Sequence, residues 1–268
     1  MGKFDGWLLA SDLDGTLLTS DRQISPANRA AIADFVRQGG RFTVATGRAR
    51  QGAAKYVAQI ETNAPHIYLN GSLTCDRDGE VLSFVHMPPR SDALLADVMA
   101  RFPFLGAEVY LPDEVYVCQN SAVTERHMTM VHLPLTLRAL GEFPGPDHWC
   151  KINLTADPAP MVPVRHYVQQ QYTGQFALAH STPEFFEITH PEANKGVALM
   201  RLAQRLGIAA DHVAAIGDNY NDQHMLTMAG VSFVPQNADG EIQALATQVV
   251  RSNDDSAVAD AIDRMARF

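Results

Sequence analysis

Cysteine is scarce: Cys75, Cys118 and Cys150 are the only three in 268 residues. No pair has CxxC spacing, and an odd number leaves one thiol over from any pairing, so neither a thiolate metal site nor a disulfide framework is expected. Free, buried thiols in a reducing compartment are the simpler reading. No apolar run approaches ~18 residues, so no membrane-spanning helix is expected. Met1-Gly2-Lys3-Phe4-Asp5 runs directly into a strand pattern without the apolar stretch of a secretory leader, which points to the cytoplasm. Positive charge is also in deficit. Twenty-one Lys and Arg against 30 Asp and Glu leave a net charge of −9 with no basic stripe, which disfavours an electrostatically driven nucleic-acid binder. Anionic substrates stay open, because a bound cation reverses a local field. The ten histidines are scattered and form no HExxH, so no zinc site is expected. Among them, His180 and His190 read as surface or core residues, with substrate contact the weaker alternative. Repeats and low-complexity stretches are missing too.

What is present is an ordinary globular composition, 46% hydrophobic and 19% charged, long enough for two domains. The first eighty residues alternate between strand and helix signals. Trp7–Ser11, Arg41–Ala45 and His66–Leu69 are short apolar runs of the kind buried parallel strands show. Between them, Ser25-Pro26 opens a helix that Gly39-Gly40 closes, and a second helix spans about Arg48 to Ile60. This βαβαβ order implies a parallel sheet covered by helices, hence an α/β fold. The rhythm then becomes α+β. Leu73–Val85 reads as a hairpin, followed by helix Ser91–Arg101, strands Ala107–Leu111, Glu114–Cys118 and Lys151–Thr155, helix Met161–Gln171, and strands near Phe176–Ala179 and Glu184–Ile188. Met128 and Met130 fall in this part and read as core. After Pro191 the α/β pattern returns: helix Lys195–Leu206, strands Val213–Ile216, Val231–Val234 and Gln248–Val250, and a last helix Asp255–Arg267. Residues 1–82 and 191–268 are therefore expected to form one discontinuous domain, interrupted by an α+β domain at 83–190.

Two acidic clusters follow strand patterns at opposite ends of the chain: Asp12-Leu13-Asp14-Gly15-Thr16 and Gly217-Asp218-Asn219-Tyr220-Asn221-Asp222. Carboxylates at the ends of buried strands are costly unless a cation lies between them. Residues i and i+2 of an extended segment share a side, so Asp12 and Asp14 can face one pocket. One carboxylate can attack phosphorus, and the other can protonate the leaving oxygen. Gly15 allows a sharp exit from the strand, and the Thr16 hydroxyl is placed to orient Asp14. Taken singly, the other motifs have plainer readings. Thr46-Gly47-Arg48 is a strand-to-helix turn, Lys195 a solvated residue in a first helical turn, and Asp218 and Asp222 capping residues.

Taken together, they resemble the haloacid dehalogenase (HAD) superfamily of phosphohydrolases. Asp12-Leu13-Asp14-Gly15-Thr16-Leu17-Leu18, Thr46-Gly47-Arg48, Asn194-Lys195-Gly196 and Gly217-Asp218 through Asn221-Asp222 follow the order of its four motifs. The mid-chain insertion, with Asn70-Gly71, Phe186-Glu187-Ile188 and Ser252-Asn253-Asp254-Asp255, looks like the Cof-type subgroup with a IIB cap. The resemblance implies a Rossmann-like, doubly wound core with an inserted cap. It also implies Mg²⁺, with Asp12 and Asp218 giving carboxylate oxygens and Asp14 a backbone carbonyl. Asp12 would be the nucleophile, Asp14 the acid and base, and Asp222 a nearby carboxylate orienting water or Lys195. Leu13, Thr46, Gly47, Lys195 and Asn221 would hold the phosphate, and Arg48, Asn70 and Gly71 the rest of the substrate. The expected activity is phosphatase action on small phosphorylated metabolites, sugar phosphates above all, by a monomer or homodimer with no nucleic-acid or membrane partner. A phosphotransferase or phosphomutase, or a non-catalytic Mg²⁺/phosphate-binding regulator, are the alternatives. One departure stands out: Pro235-Gln236-Asn237-Ala238 replaces a Gly-Asn-Ala segment common among relatives, which puts fine positioning of that loop in doubt.

Overall fold

The computed structural model describes residues 2–179 and 182–267. His180 lies outside the described residues. The chain opens with β1 (Leu8–Ser11), α1 (Pro26–Arg37), β2 (Arg41–Val44), α2 (Arg50–Val57) and β3 (His66–Tyr68). Ser25 caps α1 by accepting a hydrogen bond from the Asn28 amide at 3.1 Å, and Pro26 supplies the first helical residue, whose amide has no partner to lose. β2 pairs in parallel with β1, and Ala45 bridges in parallel to Ile67 of β3. Next come β4 (Leu73–Cys75) and β5 (Val81–Phe84). β4 lies antiparallel on β3, so this hairpin extends a three-stranded sheet.

The inserted stretch holds α3 (Ser91–Arg101), β6 (Gly106–Tyr110), β7 (Val115–Gln119), α4 (Ala122–Val131), β8 (Lys151–Thr155), α5 (Pro158–Gln171), β9 (Ala177–Ala179) and β10 (Phe185–Thr189). Its five strands form an antiparallel sheet in the order β7-β6-β8-β10-β9. Leu94, Leu95 and Val98 of α3 and Met161, Val164 and Val168 of α5 pack with Ala107, Val109, Ile152, Leu154, Phe186 and Ile188 of the sheet. The alternate strand positions carry polar groups, as the period of two requires. Glu108 is fully buried there and accepts from the Tyr110 hydroxyl at 2.9 Å and the Asn153 amide at 2.8 Å, with His127 Nδ1 2.9 Å away. Burial, then the neighbouring Glu108 charge, pushes the Tyr110 hydroxyl well above its ordinary range. On α4, Val123, Thr124, His127 and Met128 make the buried stripe. Met130 falls off that stripe and is exposed, against the expectation that it is core.

The chain then runs through α6 (Lys195–Arg205), β11 (Val213–Ile216), α7 (Gln223–Met228), β12 (Val231–Pro235), α8 (Gly240–Gln243), β13 (Gln248–Val250) and α9 (Ala257–Met265). These strands complete an all-parallel sheet in the order β13-β12-β11-β1-β2. Leu8, Ala10, Val213 and Ala215 meet Ala198, Leu199 and Leu202 of α6 and Met225 of α7. α1 packs against α9 and β2, and α9 also meets β13. Every residue of β1 and β11 is buried, as two covered faces demand.

The chain divides into two compact units, one of residues 1–47, 53–82 and 194–268, the other of 48–52 and 83–193. Cys75 and Cys150 are buried free thiols, and Cys118 is half-buried, where burial pushes its thiol up to about 12. Among the described residues, no helix is long and apolar enough to cross a membrane.

Candidate active site

The site is built by sheet order. β1 lies between β2, toward which the chain leaves on one side, and β11, which flanks it on the other. The register pairs Ser11 with both Val44 and Ile216, so the residues after these three strands emerge at one level on the same sheet edge. That edge, at the carboxyl ends of parallel strands where connections diverge, is where open α/β sheets bind ligands. Asp12 follows β1, Thr46 and Gly47 follow β2, and Gly217-Asp218 follows β11. The Asp12 amide still donates to the Ile216 carbonyl at 2.9 Å, which fixes its height against the acidic loop.

Lys195 joins the two clusters. Its Nζ donates to Asp12 Oδ1 at 2.6 Å and to Asp222 Oδ1 at 2.7 Å, and all three side chains are nearly or wholly removed from water. Burial works against its charge, but Asp12 and then Asp222 overcome this and hold the ammonium above its ordinary range. The other oxygen of Asp222 accepts from the amides of Asp218 at 3.0 Å and Asn219 at 3.1 Å, so this carboxylate shapes the acidic loop as well as orienting Lys195. At the start of α6, Asn194 accepts from the Val197 amide at 2.8 Å and sets where Lys195 enters the helix.

The balance of charge is uneven. One carboxylate oxygen from each of Asp12, Asp218 and Asp222 lies within 4.8 Å of the others, with the Lys195 ammonium on two of the three residues. Burial pushes Asp12 well above the usual carboxylate range; Lys195 counters this, while Asp222, Asp218 and Asp14 add to it. Asp218 is pushed up to about 6 by burial and by Asp222, against the Thr16 hydrogen bond and Lys195. Surplus negative charge on hard oxygen donors fits a small divalent cation such as Mg²⁺. The Asp14 carboxylate is not one of the clustered three.

The loop after Asp12 is a tight turn closed by the Leu18 amide donating to the Leu13 carbonyl at 2.8 Å. Gly15 adopts φ +76°, and a Cβ there would overlap Asp218 Oδ2. The Thr16 hydroxyl donates to Asp218 Oδ1 at 2.6 Å; it therefore orients Asp218, 202 residues away, and not Asp14 as its position in the motif suggests. Asp12 is buried whereas Asp14 is exposed, so the two carboxylates occupy different environments.

Thr46 and Asn221 flank the same edge. The Thr46 amide donates to Ile67, and Asn221 Nδ2 donates to Asn70 Oδ1 at 3.0 Å. Gly71 adopts φ +96° hard against the Asn194 carbonyl. The Arg48 guanidinium lies 3.4 Å from the Gly52 carbonyl at the start of α2. Asn237, which no motif of the sequence marks as a site residue, donates through Nδ2 to the Gly15 carbonyl at 2.9 Å. Its own Oδ1 accepts from the Asn253 amide at 2.9 Å, while Asn253 Nδ2 holds Leu18 O at 2.9 Å. The loop carrying the unusual Pro235-Gln236 pair thus still braces the first motif. The signal lay in two asparagines outside the acidic clusters. His190 Nδ1 accepts from the Glu192 amide, a local turn contact.

A family model for haloacid dehalogenase-like hydrolases matches residues 9–262, and the chain belongs to that family. YxeH of Bacillus subtilis is 30% identical over 267 residues, covering 96% of this chain and 97% of that one. An HMP-PP phosphatase of Serratia proteamaculans is 27% identical over 248 residues, covering 90% and 88%. A haloacid dehalogenase-like hydrolase from Bacteroides thetaiotaomicron superposes with a TM-score of 0.84 at 25% identity, covering 97% of this chain and 99% of its own. The protein is a phosphohydrolase of this family.

Proposed function

We propose that the chain is a Mg²⁺-dependent phosphatase that hydrolyses small phosphomonoesters, sugar phosphates in particular, through an aspartyl-phosphate on Asp12. The observation that carries this reading is the buried set of three carboxylates around one lysine at the carboxyl edge of the parallel sheet. Asp12 and Asp218, with the Asp14 backbone carbonyl, are the residues that would hold Mg²⁺. Bound there, the ion would offset repulsion between the Asp12 carboxylate and a phosphate dianion.

The protein's own groups divide the rest of the work. Asp12 attacks phosphorus as the ester oxygen departs. Asp14 gives that oxygen a proton and then takes one from the water that attacks phosphorus and frees Asp12. Its exposed carboxyl suits an exchange of protons with the leaving group and water. Lys195, fixed by Asp12 and Asp222, supplies a positive charge that needs no reorganisation as charge builds on the phosphoryl oxygens. Thr46, Gly47, Asn221 and the Leu13 backbone supply the remaining phosphate contacts. The relative named as an HMP-PP phosphatase supports testing substrates beyond sugars.

The test is a panel of phosphorylated metabolites, with inorganic phosphate and dephosphorylated product both measured. Equal release of the two with Mg²⁺ present, and loss on chelation, is the expected result. Phosphoryl groups recovered on a second hydroxyl would make the protein a transferase. Full activity after exhaustive chelation would remove the metal from the reaction.

A further inference from the structure

Three successive residues, Leu69, Asn70 and Gly71, hold positive φ angles of 51°, 55° and 96°. Asparagine tolerates the left-handed region, but a fully buried leucine there is uncommon, and such strain persists only where surrounding contacts impose it. The contacts around this turn are specific. The Asn70 amide donates to the Thr46 carbonyl at 3.1 Å. Its side-chain Oδ1 accepts from Asn221 Nδ2 at 3.0 Å. The side chain also fills the space above Gly47, where a Cβ would stand 2.9 Å from Oδ1. Gly71 is required both by its φ and by the Asn194 carbonyl, which a Cβ would overlap. One strained turn therefore touches the loop after β2, the acidic loop after β11, and the capping residue that precedes Lys195.

We infer that Asn70 is a positioning residue that holds the Asn221 amide and the Thr46–Gly47 turn at the separation phosphate requires. This rests on the phosphatase reading and differs from a substrate-contacting role for Asn70. The two amides are held in one geometry before substrate arrives: Asn70 Oδ1 fixes one proton of Asn221 Nδ2 and so aims the other. Donors set in advance serve the transition state more than the ground state, so loss of Asn70 should weaken the chemical step as well as phosphate binding.

The test uses the full chain with Asn70→Gly, which keeps the left-handed backbone and removes only the amide, alongside Asn221→Ala and the double variant. Turnover of an aryl phosphate and binding of inorganic phosphate by calorimetry, both with saturating Mg²⁺, are the readouts. Asn70→Gly should lower kcat/KM by about 10- to 100-fold and weaken phosphate binding, with the Mg²⁺ concentration for half-activation unchanged. The double variant should lose less than the two single losses combined, because Asn70 acts in part through Asn221 and in part through the Thr46–Gly47 turn. Asn70→Asp, which preserves the acceptor and the turn, should restore the coupling to Asn221 while weakening phosphate binding through its charge. Wild-type kcat/KM and phosphate affinity in Asn70→Gly, or strictly additive losses in the double variant, would overturn the inference while leaving the phosphatase reading intact. Wild-type protein that binds no phosphate would overturn both.

Discussion

Lys195 shows how a single residue can carry a site. A lysine at the first position of a helix opposes the helix dipole, and complete burial opposes its charge further. It is held there by Asp12 and Asp222, at 2.6 and 2.7 Å. Asp218 stays outside that pairing, and burial, then Asp222, pushes its carboxyl up to about 6 from the ordinary 3.8. Between those values the folded protein keeps a proton that the unfolded chain has released. The stability this group contributes is therefore full below its ordinary value and lost as pH rises through about 6. In metal-free protein, wild type should lose on the order of 1 kcal/mol more stability than Asp218→Asn between pH 5 and pH 7. Urea midpoints of both proteins at the two pH values measure this, and parallel losses would show that Asp218 titrates normally.

At the scale of elements, the site depends on turns more than on strands. Gly15 and Gly207 both adopt positive φ, 76° and 69°, but only Gly15 has a neighbour that a Cβ would strike, Asp218. Gly15→Ala should displace that carboxylate and raise the Mg²⁺ concentration for half-activation at least about tenfold. Gly207→Ala should cost about 1 kcal/mol of stability through strain alone and leave the Mg²⁺ requirement unchanged. Metal titrations and denaturation of both variants separate the effects; equal Mg²⁺ requirements would show that Gly15 is needed only for its backbone.

The regular elements were legible in sequence because apolar runs, Ser25-Pro26 and Gly39-Gly40 are local signals; Ser91–Arg101, Lys151–Thr155 and Val213–Ile216 have the bounds their patterns indicate. Helix α4 was not legible. Its Val, Thr and His residues have weak helix propensity, and it forms because Val123, Thr124, His127 and Met128 find a sheet to cover. The partnership of Thr16 with Asp218 was hidden for a related reason: proximity in sequence favours Asp14, whereas the parallel pairing of β1 with β11 brings Asp218 alongside. Glu108 looks anomalous in an apolar strand until Tyr110 and Asn153 supply its hydrogen bonds.

At the scale of the whole molecule, among the described residues one apolar cluster, around Trp149, Phe186 and Leu94, draws only on the inserted residues, and another, around Leu8, Leu199 and Val213, only on the remainder. Separate cores favour separate folding. Replacing residues 83–193 by a short linker should leave protein that binds Mg²⁺ and hydrolyses aryl phosphates slowly. Its preference for the best metabolite over an aryl phosphate, as a ratio of kcat/KM, should collapse if the insertion selects the leaving group. An unchanged ratio in a folded product would place selectivity in the loops around Arg48 and Asn70.

The central claim is covalent: the phosphoryl group passes to Asp12. Acid quenching of a single turnover with phosphoryl-labelled substrate and Mg²⁺, followed by digestion and identification of the labelled peptide, tests it directly. Label on Asp12, appearing before free phosphate and absent in Asp12→Asn, is the expected result. Release of phosphate by wild type without labelled protein at any time point, or turnover at the wild-type rate by Asp12→Asn, would contradict it.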